Sequence, residues 1–112
     1  MRIYKEDIQP LINTLLLNKI RAILVGSLGW RGWSDHDADI LIYFPTRVKS
    51  RRMQKWDGYG EYVKVMKESG FKQDNHLGMH MEVWYKDTPK GILKVDVIGE
   101  AHFPENFKKE AA

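Results

Sequence analysis

Three aspartates carry the chemistry that this sequence suggests most strongly. Asp37 and Asp39 alternate at the start of the apolar stretch 37–44, and Asp96 lies inside a later apolar stretch, 92–98. If 37–44 is a strand, Asp37 and Asp39 share a face, with their Cα atoms roughly 6.5–7 Å apart. Two carboxylates at that separation can converge on a pair of divalent cations about 3.5–4 Å apart. A carboxylate in a buried strand is costly unless its charge is compensated, and a shared metal would compensate Asp96.

Asp96 also has an ordinary structural explanation. On an edge strand it would face solvent or pair with Lys94 or an arginine, and an isolated aspartate of this kind more often does so. The prediction of a metal site therefore depends on the combination of the three aspartates rather than on any one of them.

The composition is that of an ordinary globular chain and excludes some kinds of site. The 112 residues are 43% hydrophobic and 29% charged, which predicts one domain over 1–112. Without cysteine there is no disulfide, thiolate nucleophile or Cys-ligated zinc site, and the four histidines show no metal-ligand spacing. No apolar run approaches the roughly 18 residues of a membrane span and no signal peptide opens the chain, so we expect a cytoplasmic protein and no membrane partner. The net charge of +3 permits nucleic acid or polyphosphate partners.

The elements that must position the aspartates are predicted from periodicity. Asp7 is expected to cap a helix that carries Pro10 in its first turn and ends near Asn18. A buried strand, 20–25, ends at Gly26, and 26–36 is a loop or a loop with a short helical turn.

The second half of the chain is predicted from the same signals. A helical pattern over 46–69 is split near Gly58 and Gly60, and Gly70 marks its end. The remaining predicted elements are a short strand (71–74), a turn (75–78), a strand (79–86), a turn (87–91) and a last strand (92–98), followed by a tail from Gly99 with no clear period.

The order of these motifs resembles the DNA polymerase β-type nucleotidyltransferase superfamily. An apolar strand ends in Gly26-Ser27, a nine-residue gap (28–36) follows, Asp37-Ala38-Asp39 opens the next strand, and Asp96 lies in a later one. The resemblance covers roughly 20–98 and implies an α/β (α+β) fold, with a small mixed β-sheet and helices mainly on one face.

The resemblance also implies roles for individual residues. Gly26 and Ser27 would hold a triphosphate, and Arg31 would contact phosphate, although an exposed loop arginine is about as common at such a position. Two Mg²⁺ (or Mn²⁺) ions would be bound by the catalytic aspartates, which are Asp37, Asp39 and Asp96. Trp30 and Trp33 could stack on a base, but packing against the core is the simpler interpretation.

Two alternatives for the metal ligands stay open. Asp35 and Asp37 also form an Asp-x-Asp pair, but that pair follows Ser27 after only seven residues, which is short for the superfamily, and it leaves Asp39 unexplained. Glu82 could replace Asp96, but it lies in an alternating, half-exposed strand.

The predicted function is transfer of a nucleoside monophosphate from an NTP to a hydroxyl-type acceptor, with release of pyrophosphate. The acceptor could be a protein, a nucleic acid or a small molecule, and its recognition could involve a HEPN-type protein partner or a homo-oligomer. Two alternatives are a catalytically inactive nucleotide-binding or scaffold member, and a small basic nucleic-acid-binding domain that uses 47–55.

Overall fold

The computed structural model describes residues 1–43, 58–76 and 81–100. The predicted basic helical segment 46–57, the end of the predicted turn and the tail beyond residue 100 lie outside the described residues. None of the helices in the described ranges is both long and apolar enough to cross a membrane. The elements, in chain order, are β1 (Ile3–Tyr4), α1 (Lys5–Leu17), β2 (Arg21–Val25), α2 (Gly26–Arg31), β3 (Trp33–Ser34), β4 (Ala38–Tyr43), α3 (Tyr59–Glu68), β5 (Lys72–His76), β6 (Met81–Thr88) and β7 (Gly91–Glu100).

Five of the strands form one mixed sheet in the order β2-β4-β7-β6-β5. β4 and β7 run parallel, and the other neighbouring pairs are antiparallel. β1 and β3 form a separate two-stranded antiparallel ribbon. This arrangement, with its helices, confirms the α/β (α+β) class and the small mixed sheet that the sequence predicts.

The core lies between the sheet and the two longer helices, α1 and α3. Alternate residues of β4 and β7, such as Ile40 and Val97, are fully buried against them. Because side chains alternate along a strand, Asp39 and Asp96 point to the opposite face of the sheet. The buried residues between this face of the sheet and the two helices form the helix-facing core, which includes Ile8, Leu11, Ile12, Leu15, Ile40, Ile42, Tyr62, Val65, Met66, Trp84, Val95 and Val97.

The start of α1 differs from the prediction. The helix begins at Lys5, and Asp7 is its third residue, where its Oδ2 accepts a 2.8 Å hydrogen bond from the Tyr4 N–H. Asp7 therefore caps the helix from inside its first turn. Pro10 is the sixth residue of the helix rather than a first-turn residue, so the carbonyl one turn before it loses its usual donor.

The connections also differ in detail from the predictions. The stretch 26–36 contains a six-residue helix and a two-residue strand rather than mainly loop. β5 continues to residue 76 instead of turning at 75. The hairpin between β6 and β7 is tighter than predicted, since the strands extend to Thr88 and from Gly91 and leave only Pro89 and Lys90 between them. Gly70, with φ +91°, follows α3 as predicted.

Candidate active site

The fold brings the three predicted aspartates together. One carboxylate oxygen each from Asp37, Asp39 and Asp96 lies within 4.8 Å of the other two. Asp37 and Asp39 are half-buried, and Asp96 is 8% exposed. We call these three residues the carboxylate cluster.

The strand register explains why the cluster forms. Asp39 in β4 is directly opposite Asp96 in the parallel strand β7, and neighbouring strands lie about 4.8 Å apart. Asp37 precedes the first residue of β4, Ala38, and reaches the same site from the connection before the strand. The alternation of Asp37 and Asp39 follows from the sequence, and the parallel pairing of β4 with β7 completes the site.

Ser34 shapes the connection that leads into the cluster. Its buried Oγ accepts hydrogen bonds from the backbone N–H groups of His36 (3.3 Å) and Asp37 (3.4 Å). A serine hydroxyl that bonds the N–H groups two and three residues ahead fixes a tight turn. Sequence reasoning did not assign this role to Ser34, although a serine three residues before a candidate ligand is the signal that could have indicated it.

Gly26 lies against the cluster on the β2 side. It has φ +65°, and a Cβ there would lie 2.4 Å from Asp39 Oδ2. Glycine is therefore required twice, by the left-handed backbone and by the close approach of the carboxylate. Gly29 is also required, because a Cβ there would lie 2.5 Å from the Leu24 carbonyl oxygen where α2 packs on β2. The exposed Ser27 follows Gly26 at the start of α2.

The cluster is rich in negative charge. Burial, and then the neighbouring Asp37, raise the pKa of Asp96 to about 6. Burial and Asp37 likewise raise the pKa of Asp39. Lys94 Nζ lies 3.6 Å from Asp37 Oδ2 and 3.8 Å from Asp96 Oδ1, and Asp96 in turn raises the pKa of the Lys94 ammonium.

The donor set fits a hard divalent cation. Carboxylate oxygens are the ligands that Mg²⁺ and Mn²⁺ prefer. Asp96 Oδ1 is buried and has no hydrogen-bond donor among the described residues, and the Lys94 ammonium lies 3.8 Å from it, beyond hydrogen-bond length. A buried carboxylate oxygen without a hydrogen bond is costly, and a divalent cation bound there would offset that cost. The three aspartates therefore suit the metal that the sequence resemblance implies.

Asp35 lies outside the cluster. Its side chain is exposed, and its Oδ1 accepts a 2.9 Å hydrogen bond from Arg2 Nε. The oxygens that converge within the described residues come from Asp37, Asp39 and Asp96. The geometry thus favours the Asp37/Asp39 pair over Asp35/Asp37.

Glu82 points to the other face of the sheet. It is fully buried and accepts hydrogen bonds from the hydroxyls of Tyr59 (2.6 Å) and Tyr62 (2.9 Å). Its strand partner is Val97, which belongs to the helix-facing core, whereas Asp96 is opposite Val83. Glu82 therefore joins β6 to α3 and is not placed to replace Asp96.

Arg31 and Trp30 are exposed on α2, and Trp33 lies in β3. The Arg31 guanidinium carbon lies 3.8 Å from the centre of the Trp33 ring, and Arg2 lies 4.2 Å from the same ring. Trp33 is half-buried, in agreement with a packing role. Trp30 is 84% exposed, so the packing interpretation was wrong for that residue.

Comparison with known proteins gives similarity in structure but not in sequence. No protein-family model matches the sequence, and no curated protein matches it. A structure of the Cid1 poly(U) polymerase with Mg and 3′-dATP bound matches 86% of this chain with a TM-score of 0.55 and 16% sequence identity. A point mutant of that polymerase bound to MgATP gives the same three values. The chain has the fold of a nucleotidyltransferase.

The shared fold confirms the fold class that the sequence predicts. The match spans 30% and 32% of the two polymerase chains, so this chain covers about a third of their length. At 16% identity the likeness establishes the fold alone.

Proposed function

We propose that the protein is a metal-dependent nucleotidyltransferase that transfers a nucleoside monophosphate from an NTP to a hydroxyl-type acceptor. The observation that carries this proposal is the convergence of Asp37, Asp39 and Asp96 beside Gly26, on a fold shared with a polymerase that binds Mg and nucleotide. Within this proposal, the catalytic domain is the whole chain, 1–112.

Each residue has a role in the proposed reaction. Asp37, Asp39 and Asp96 would hold two Mg²⁺ or Mn²⁺ ions, which supply Lewis-acid stabilisation of the phosphate charge. Ser27 and Arg31 are both exposed on α2, and their hydroxyl and guanidinium would contact phosphate oxygens, while Gly26 would let the backbone approach a phosphate closely.

The bond changes follow from in-line displacement at the α-phosphorus. The acceptor oxygen forms a bond to the α-phosphorus, while the bond from that phosphorus to the oxygen bridging it to the β-phosphate breaks. The hydroxyl proton passes to the Asp96 carboxylate, and pyrophosphate leaves.

The first test is nucleotide and metal binding by the purified protein. We expect Mn²⁺-dependent NTP binding that is weakened at least about 100-fold in Asp37→Asn/Asp39→Asn, because ligand loss should cost at least as much as loss of an outer-shell partner. Asp35→Asn is the matched control, since Asp35 is a neighbouring exposed carboxylate paired with Arg2, and it should bind as wild type does. Binding that is unchanged in the double variant would contradict the proposal.

A catalytically inactive nucleotide-binding or scaffold protein is the second candidate. The observation that favours it is the Lys94 ammonium within 4 Å of Asp37 and Asp96, where it partly neutralises the cluster. This candidate predicts that NTP binds in a metal-dependent way and that no pyrophosphate is released, whichever acceptor is added. The basic nucleic-acid-binding alternative depends on 47–55, which lie outside the described residues.

The acceptor and partners remain part of the proposal. We propose that either a HEPN-type partner or a second copy of this chain contributes to acceptor recognition. A nucleic acid acceptor would fit the net charge of +3.

A further inference from the structure

Lys94 is the basic residue that accompanies the carboxylate cluster. It lies two residues before Asp96 in β7, so the two side chains share one face of the sheet. Its ammonium makes ion pairs with Asp37 (3.6 Å) and Asp96 (3.8 Å) at the same time. The lysine thus links the residue before β4 to the strand paired with β4.

The charge of the cluster explains why an ammonium lies there. Three carboxylates with oxygens within 4.8 Å repel one another when all are ionised. Asp96 is 8% exposed, so water screens its charge poorly. One ammonium against three carboxylates leaves the cluster with a negative excess that a divalent cation would still attract.

The two ion pairs use oxygens that a metal would need. The atoms closest to Lys94 are Asp37 Oδ2 and Asp96 Oδ1, and both distances exceed hydrogen-bond length. Asp39, in contrast, makes no ion pair within 4 Å among the described residues. Lys94 therefore opposes metal binding at Asp37 and Asp96 more directly than at Asp39.

We propose that Lys94 is the internal counter-ion of the carboxylate cluster and competes with a divalent cation for Asp37 and Asp96. This inference deepens the proposed function and rests on it. The lysine side chain is 36% exposed, and its flexible four-carbon stem allows the ammonium to leave without movement of the strand. Lys94 stabilises the cluster without metal and is displaced when the metal binds.

The test is a Mn²⁺ titration without nucleotide, with free Mn²⁺ measured by electron paramagnetic resonance. Loss of two partly exposed ion pairs should tighten Mn²⁺ binding by about five- to tenfold in Lys94→Met. Lys94→Arg keeps the charge and should bind close to wild type. Lys90→Met is the matched control, because Lys90 pairs with Asp7, outside the cluster, and it should leave Mn²⁺ binding unchanged.

Thermal unfolding supplies a second measurement on the same variants. Without metal, Lys94→Met should unfold at a lower temperature than wild type, because its carboxylates have lost their cation. With Mn²⁺ at saturation the difference should shrink or reverse. Lys94→Gln provides a second neutral side chain if the methionine variant does not fold, as judged by circular dichroism.

The outcomes separate this inference from the proposed function. Mn²⁺ binding that disappears in Asp37→Asn/Asp39→Asn but is equal or weaker in both neutral Lys94 variants overturns the counter-ion role and leaves the metal site intact. Absence of Mn²⁺ binding in wild type and in all Lys94 variants overturns both. Tighter binding in the neutral variants, with Lys94→Arg and Lys90→Met close to wild type, supports competition.

Discussion

At the scale of single residues, the site is held by close approaches that leave no spare volume. Gly26 and Asp39 are the clearest pair, since the space for a Cβ at Gly26 is already taken by the Asp39 carboxylate. The sequence pattern predicted both residues as functional. It did not predict their contact, which follows from the antiparallel pairing of Val25 with Asp39.

Substitution of Gly26 by alanine should therefore damage both fold and site. We expect Gly26→Ala to cost about 1–3 kcal/mol of unfolding free energy, from the strained backbone and the displaced carboxylate. Mn²⁺ affinity should fall about tenfold or more, because Asp39 is moved. Gly60→Ala is the control: nothing lies within 4 Å of a Cβ there, and in α3 it should gain about 0.5 kcal/mol. Urea denaturation and Mn²⁺ titration of both variants check this, and a Gly26→Ala protein with wild-type stability would contradict it.

The contacts of Lys94 could be predicted from the sequence only in part. Lys94 lies two residues before Asp96 in the sequence, and this spacing makes a Lys94–Asp96 ion pair the ordinary alternative to a metal site. The structure places its ammonium near Asp37 as well. That contact depends on which strand pairs with β7, and a local pattern does not specify the partner.

At the scale of elements, α3 is fastened to the sheet by a buried polar network. Trp84 Nε1 donates to the Tyr62 hydroxyl (2.7 Å), and the hydroxyls of Tyr62 and Tyr59 donate to Glu82. The rings of Tyr62 and Trp84 meet edge to face, with centroids 5.9 Å apart. Burial and Glu82 raise the pKa of Tyr62, so its hydroxyl stays protonated and can donate.

Removal of the Tyr62 hydroxyl should weaken the attachment of α3 to the sheet. We expect Tyr62→Phe to cost about 1–3 kcal/mol, because the buried Trp84 N–H and Glu82 each lose a partner. Tyr59→Phe is the comparison and should cost less, since Tyr59 is only half-buried. The network lies on the helix face of the sheet, so Mn²⁺ affinity should stay at the wild-type value in both. Chemical denaturation measures the first effect, and a Tyr62→Phe variant with altered Mn²⁺ affinity would show that the two faces are coupled.

Element boundaries were predictable where they depend on local chemistry. Gly70 after α3 is such a case and is confirmed. The turn between β6 and β7 is present but shorter than predicted, with only Pro89 and Lys90 between the strands. The start of α1 was displaced because an aspartate accepts the same kind of N–H bond from inside the first turn as from the cap position. The α2 helix was only partly predicted, since its packing against β2 through Gly29 is a tertiary contact.

At the scale of the whole molecule, the site depends on segments far apart in sequence. The parallel pairing of β4 with β7 places Asp39 opposite Asp96. The sequence predicted each strand and each aspartate, and the resemblance supplied their common site. Under the proposed function, folding and metal binding would therefore be linked, because the unfolded chain has no preformed ligand set.

Without metal, the stability of the folded protein depends on pH through the protonation of Asp96. Burial and Asp37 raise the pKa of Asp96 to about 6 in the folded protein, whereas an unfolded aspartate has a pKa of about 3.9. The folded state therefore binds this proton more tightly. Asp96 protonation contributes stability that is fully present below about pH 4 and is lost as the pH rises through about 6.

Mn²⁺ should reverse this loss, because metal binding requires the ionised carboxylate. At about 100 times its Kd, Mn²⁺ should add about 2.7 kcal/mol to the unfolding free energy near neutral pH. Well below about pH 6 the gain should diminish, since Asp96 is then protonated. Thermal unfolding from about pH 4 to neutral pH, with and without Mn²⁺, measures both the loss of stability without metal and the gain with Mn²⁺. We expect Asp35→Asn to behave as wild type does and Asp37→Asn/Asp39→Asn to show no gain in stability with Mn²⁺. An equal gain at low and neutral pH would mean that Asp96 does not bind the ion, and the cluster would then act through Asp37 and Asp39 alone.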